Sequence, residues 1–167
     1  MPDEMDPQRS HGKKGDPAVT PIDVIVVRDI MSDIPDRIPP QMPINRILHE
    51  FSTLKCADLV VVDEDGKFLG VVSPFDLVNH VNPSMGVRSG KKAPCIECMM
   101  RGDALVAEDL MSRSHMTVTE ETPVVEALRL LERYRQPDLV VIDEEGIAIG
   151  MLGICSIISH LRLVGHL

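Results

Sequence analysis

Aromatic side chains are nearly absent from this sequence. It has no Trp, one Tyr (Tyr134) and three Phe (Phe51, Phe68 and Phe75), 2% of 167 residues. A core must therefore be aliphatic, built from Val, Ile, Leu and Met. Positive charge is also scarce: 17 Lys and Arg face 26 Asp and Glu, a net charge of −9. That balance argues against nucleic acid or an anionic membrane as the main partner. It leaves room for a small anionic ligand in a locally basic pocket. No apolar run approaches the ~20 residues that span a bilayer. The opening stretch, MPDEMDPQRSHGKKGDP, has no apolar h-region and so predicts no secretory signal. Four cysteines fit a reducing cytosol better than a disulfide framework, so a cytoplasmic location is expected. No Ser-His-Asp order, HExxH or paired carboxylate cluster suggests catalysis, and the chain is not expected to be an enzyme.

An internal repeat dominates what is present. Shifting the chain by 80 residues aligns 28–81 with 108–161 without a gap, and 14 of 54 positions are identical. Composition alone gives roughly three to five. The identities include Met31/Met111, Ser32/Ser112, Asp58/Asp138, Gly66/Gly146, Gly70/Gly150 and His80/His160. Two copies of one structural unit follow.

Each copy has the same element order. A DIMS or DLMS segment comes first. In the first copy Ile44, Ile47, Leu48, Phe51 and Leu54 then fall on one helical face; Val124, Ala127, Leu128, Leu131 and Tyr134 do so in the second. Thr122 reads as the N-cap of that second helix, with Pro123 in its first turn. The runs LVVV (59–62) and LVVI (139–142) read as strands buried on both faces. Asp63–Gly66 reads as a tight turn into a further strand. Short helices close the copies, from about Pro74 to His80 and from about Ile154 to Leu161. The expected fold is mixed α/β (α+β): two β-α-β-β-α repeats packed with pseudo-twofold symmetry. One unit of ~54 residues is too small to stand alone easily. The expected division is a disordered tail (1–21), repeat 1 (22–81), a connection (82–106) whose second part reads as helix, and repeat 2 (107–167).

The paired DIMS/DLMS and DLVVVDEDG/DLVVIDEEG segments, with MTVTEETPVVEAL (116–128) and GVVSPFD (70–76), resemble a tandem pair of cystathionine-β-synthase (CBS) domains, a Bateman module. The resemblance covers about 28–161. It implies a regulatory module with adenosine-type ligands (AMP, ADP, ATP, S-adenosylmethionine or NAD-like) in clefts between the repeats, and no obligatory cofactor. It also implies a homodimer and a regulated protein partner. The family's Gly-h-h-Ser/Thr-x-x-Asp pattern falls on Gly70, Ser73 and Asp76. There the aspartate accepts from ribose hydroxyls and the Ser/Thr reaches ribose or phosphate. The second copy has Gly153 and Ser156 instead, which puts its site in doubt. The family's pocket walls fall on Ile34–Ile38 and on Ala57, Asp58 and Leu59, so Arg37 and Ile38 join the candidates.

Residue chemistry leaves two readings open. Ser73-Pro74-Phe75-Asp76 fits the S-x-x-D capping box as well as a ribose site, and the two roles are compatible. Arg37 reads as a phosphate contact or as a solvated side chain. Arg133 and Arg135 read as polar-face residues. Cys95 and Cys98 form a C-x2-C pair, two of the four ligands that zinc needs, with no second pair in the chain. Gly86–Lys92 misses the phosphate-loop spacing. A nucleotide-independent dimerisation or interaction scaffold is the alternative function.

Overall fold

The computed structural model describes residues 21–54, 57–80 and 105–166. Residues 1–20 of the expected tail, most of the connection, Cys56, Cys95 and Cys98 lie outside the described residues. The first repeat comprises β1 (Arg37–Ile38), α1 (Ile44–Thr53), β2 (Leu59–Val62), β3 (Phe68–Val72) and α2 (Pro74–His80). The second comprises α3 (Ala107–Leu110), β4 (Thr117–Val118), α4 (Val124–Tyr134), β5 (Asp138–Ile142), β6 (Ala148–Gly153) and α5 (Ile154–Leu163). Single 3-10 turns at Ile22–Val24 and Val27–Asp29 precede them. No helix among the described residues is long and apolar enough to cross a membrane.

Each repeat carries one three-stranded sheet, β1-β2-β3 or β4-β5-β6. The first strand runs parallel to the middle one and the third antiparallel to it. The middle strands hold the continuous Val-rich runs. Leu59, Val60, Val61, Leu139, Val140 and Val141 are fully buried, as strands covered on both faces require. Asp63 shapes the β2–β3 turn: its Oδ1 accepts from the N–H of Asp65 and of Lys67. Gly66 follows at φ +84°, a left-handed conformation suited to glycine. Asp143 and Gly146 repeat the arrangement.

The two turns also join the sheets. The Phe68 N–H donates to the Gly146 carbonyl (3.0 Å), and the Ala148 N–H donates to the Gly66 carbonyl (3.1 Å). These bonds are related by the 80-residue shift, so they express the pseudo-twofold directly. Ile34, Val60, Val62, Val71, Val140, Ala148 and Met151 pack across the same junction.

The leading segments are exchanged between repeats. Ile25, Val27 and Ile30 lie in the core of the second repeat, among Val124, Leu131, Leu139 and Leu152. Ala107, Leu110 and Met111 lie in the core of the first, among Ile44, Ile47, Phe51 and Val72. Backbone bonds fix both exchanges: Val27 N–H to Thr122 C=O and Val124 N–H to Ile25 C=O on one side, Ile44 N–H to Leu105 C=O and Ala107 N–H to Met42 C=O on the other. Each fully buried aliphatic side chain is worth about 1.5–3 kcal/mol, so each repeat draws several kcal/mol from the other's leader. The division at 82–106 therefore describes chain order and not the two cores.

Two expectations for α4 are corrected. Thr122 does not cap it. Its Oγ1 accepts from the Thr119 N–H (3.1 Å), and the N-cap residue is Pro123. The exchanged segment takes over the capping work, because the Ile25 carbonyl receives the Val124 N–H. Tyr134 is not a core residue but 45% exposed. The helix ends there, with Arg135 at φ 55°, and the Arg133 guanidinium lies over the Tyr134 ring.

Candidate functional site

Strand β3 ends at Val72 and α2 begins at Pro74, so Ser73 stands at a strand-to-helix junction. The Ser73 backbone N–H and its Oγ–H both donate to Asp76 Oδ2 (2.8 Å each). The Asp76 N–H donates back to Ser73 Oγ (3.2 Å). This is a capping box. Among the described residues Asp76 Oδ1 accepts no hydrogen bond, and Ser73 and Asp76 both line a cleft of about 320 Å³. Pockets of roughly 300–1,000 Å³ suit small ligands.

The opposite wall comes from the second repeat. Val71 and Ser112 exchange both backbone bonds (3.1 and 2.8 Å), which seats the DLMS segment across the end of β3. Gly70 makes that approach possible. A Cβ there would sit 2.7 Å from the Ser112 carbonyl oxygen and 3.1 Å from the Met111 sulfur. Chain then runs through His115, and the Met116 N–H donates to Gln136 Oε1 (3.0 Å). Ser112, His115, Arg135, Gln136 and Pro137 complete the lining opposite Asp58, Ser73 and Asp76. The left-handed exit of α4 puts Arg135 at this wall.

Charge is concentrated here. The His115 side chain is 7% exposed, and its Nε2 lies 3.2 Å from Asp138 Oδ1. They face each other as a buried charge contact, and among the described residues neither atom has a further hydrogen-bond partner. Burial, and then the Asp138 charge, push the Asp58 carboxyl up to about 6; Asp76 adds to the rise and His115 opposes it. Asp58 and Asp138 are equivalent positions of the two repeats.

The expected site residues thus divide. Asp58, Ser73 and Asp76 come together. Gly70 lies under the Ser112 backbone and does not line the cleft. Leu59 is fully buried in the first core, and Ala57 is half-buried beside Asp58. Arg37 and Ile38 are elsewhere: the Arg37 guanidinium donates to the Ala148 carbonyl (3.1 and 3.3 Å), and both residues line a separate groove with Pro39, Pro40 and Glu64. The reason is the exchange, which brings the second copy's segment, and not the first's, to Ser73 and Asp76. Sequence reasoning missed Ser112, His115 and Gln136, and took Arg135 for a polar-face residue. The signal was available: adding 80 to the wall 34–38 gives 114–118, which contains His115.

The second-copy junction differs. Gly153 gives α5 no side-chain cap, and the Ile154 N–H is received by the Pro137 carbonyl. Ser156 lines a shallow depression with Asp29, Ile30 and Cys155. Among the described residues no group of three or more His, Cys, Asp or Glu side chains is placed to hold a metal ion.

The CBS domain family model matches residues 27–83 and 106–163. The chain belongs to the CBS-domain family, as a tandem pair. Solved CBS pairs share the fold. CBSX2, a protein of Arabidopsis thaliana, in its complex with AMP is 25% identical with a TM-score of 0.67, over 83% of this chain and 97% of that one. The CBS pair of protein MJ0100, in complex with 5′-methylthioadenosine and S-adenosyl-L-methionine, is 22% identical with a TM-score of 0.61, over 86% and 98%. The cytosolic domain of the Mg2+ channel MgtE, in complex with ATP, is 20% identical with a TM-score of 0.60, over 79% and 47%. No curated protein matches the chain significantly.

Proposed function

We propose that this CBS pair is a non-catalytic regulatory module that binds one adenosine-type ligand per chain in the cleft between its repeats. The observation that carries this reading is the composition of that cleft. It joins Ser73 and Asp76 of one repeat to Ser112, His115 and Arg135 of the other. A carboxylate oxygen accepts from a ribose diol, and the serine hydroxyl reaches the sugar or its 5′ substituent. A ligand held by both repeats has a different affinity for each relative orientation of them, and so shifts the population between orientations. A protein partner then reads the orientation. The AMP, ATP and S-adenosylmethionine complexes of the related pairs support the ligand class.

Pairing of two copies completes the proposal. The closing helices carry exposed apolar side chains: Phe75 (78%) and Val78 (64%) on α2, Ile158 (50%) and Leu163 (84%) on α5. A scaffold role without nucleotide has one observation in its favour, because Ser73 and Asp76 already satisfy each other as a cap. Thermal melting with AMP, ATP, S-adenosylmethionine and 5′-methylthioadenosine separates the two. A ligand at 100 times its Kd stabilises by about 2.7 kcal/mol, a rise of several degrees. No rise with any of the four assigns the chain to the scaffold reading.

A further inference from the structure

The cleft is asymmetric in charge. Among the described residues, its wall and the layer behind it hold three carboxylates, Asp58, Asp76 and Asp138. Among the described residues two side chains able to carry positive charge face them, His115 and the exposed Arg135. With His115 protonated the set carries −1, and with it neutral −2. The His115 side chain is over nine-tenths buried and lines the cleft, with its Nε2 facing Asp138 Oδ1 at 3.2 Å. An anion brought there meets Asp58 and Asp138 at low dielectric, where repulsion is strong.

We propose that Asp58 and His115, backed by Asp138, determine specificity by charge: the cleft takes a phosphate-free adenosine ligand, neutral or cationic at its 5′ substituent, in preference to nucleotide phosphates. This rests on the adenosine reading above. Among the described residues Arg135 is one exposed cation against three carboxylates. The raised Asp58 carboxyl adds a consequence. At pH 7.5 Asp58 is ionised and discriminates; near pH 5.5 it is largely protonated and discriminates less. Asp138, His115, Asp76 and Arg135 are the other titratable or charged groups facing Asp58.

Isothermal titration of the full chain with 5′-methylthioadenosine, S-adenosylmethionine, AMP and ATP tests this at pH 7.5. One of the two phosphate-free probes binds at least tenfold more tightly than ATP. In Asp58→Asn the ratio of the ATP or AMP Kd to the 5′-methylthioadenosine Kd falls fivefold or more. Lowering the pH to 5.5 narrows the gap more in the wild type than in Asp58→Asn. Protonation of the nucleotides themselves is common to both proteins and cancels in that comparison. Asp138→Asn, at the layer behind, narrows the gap in the same sense and serves where Asp58→Asn does not fold. ATP or AMP as the tightest ligand, or a gap unmoved in both variants, overturns the charge proposal and leaves the adenosine site standing. No binding of any probe to any form overturns both.

Discussion

At the scale of single residues, Asp58 and Gly70 carry the sharpest consequences. The Asp58 carboxyl is raised from 3.8 to about 6 in the folded chain, chiefly by burial. A raised carboxyl favours the folded state when protonated, so that advantage is full below about pH 4 and is lost as pH rises through 6. A two-unit shift corresponds to at most ~3 kcal/mol, and solvent screening at this half-buried site brings it to about 1 kcal/mol. Asp58→Asn is expected to melt a few degrees above the wild type at pH 7.5, with the difference vanishing below pH 4. A constant difference across that range would remove ionisation of Asp58 as its cause. Gly70 and Gly150 invite a paired comparison. The added Cβ meets a backbone oxygen at 2.7 Å in one case and at 3.0 Å in the other. Overpacking of this kind costs about 1–3 kcal/mol. Gly70→Ala is expected to destabilise more than Gly150→Ala in urea unfolding, and the reverse order would contradict the close approach of Ser112.

At the scale of elements, the strand-to-helix junctions of the two repeats make a natural experiment. α2 starts with a Ser73–Asp76 box, and α5 starts with Gly153 and no side-chain cap. Ser73→Ala is expected to cost about 1 kcal/mol, the usual worth of an N-cap, while Ser156→Ala costs little. Equal losses in chemical denaturation would mean that the box does not stabilise α2. The elements themselves were legible in the sequence. Val-rich runs, the Asp-x-x-Gly turns and the i, i+3, i+7 faces of α1 and α4 encode local structure directly. Their limits were legible only in part. Thr122 has the chemistry of a cap, but an exchanged backbone segment does its work. Tyr134 keeps the apolar register, but the helix ends beneath it. The wall of the cleft was the least legible part. Two related repeats present the same apolar pattern, so nothing local says which copy's DIMS or DLMS segment covers which core. That choice decides whether Arg37 or His115 faces Asp76.

At the scale of the whole molecule, exchange makes the two repeats one folding unit. Residues 25–30 complete the second core and 107–111 the first. The full chain is expected to unfold in one calorimetric transition, with van't Hoff and calorimetric enthalpies equal; two resolved transitions would contradict the exchange. If two copies pair as proposed, the full chain is expected to sediment as a dimer and Phe75→Asp with Ile158→Asp as a monomer; a wild type that sediments as a monomer, or a dimer that persists in the variant, contradicts pairing through these helices. The central claim is that an adenosine ligand occupies the cleft shared by both repeats. Its most direct test is isothermal titration of the wild type, Asp76→Ala and Ser156→Ala with the ligand that most raises the melting temperature. The account predicts one site per chain, at least tenfold weaker binding (~1.4 kcal/mol) in Asp76→Ala, and affinity within twofold of wild type in Ser156→Ala. Equal binding by all three proteins, or two equivalent sites per chain, would contradict it.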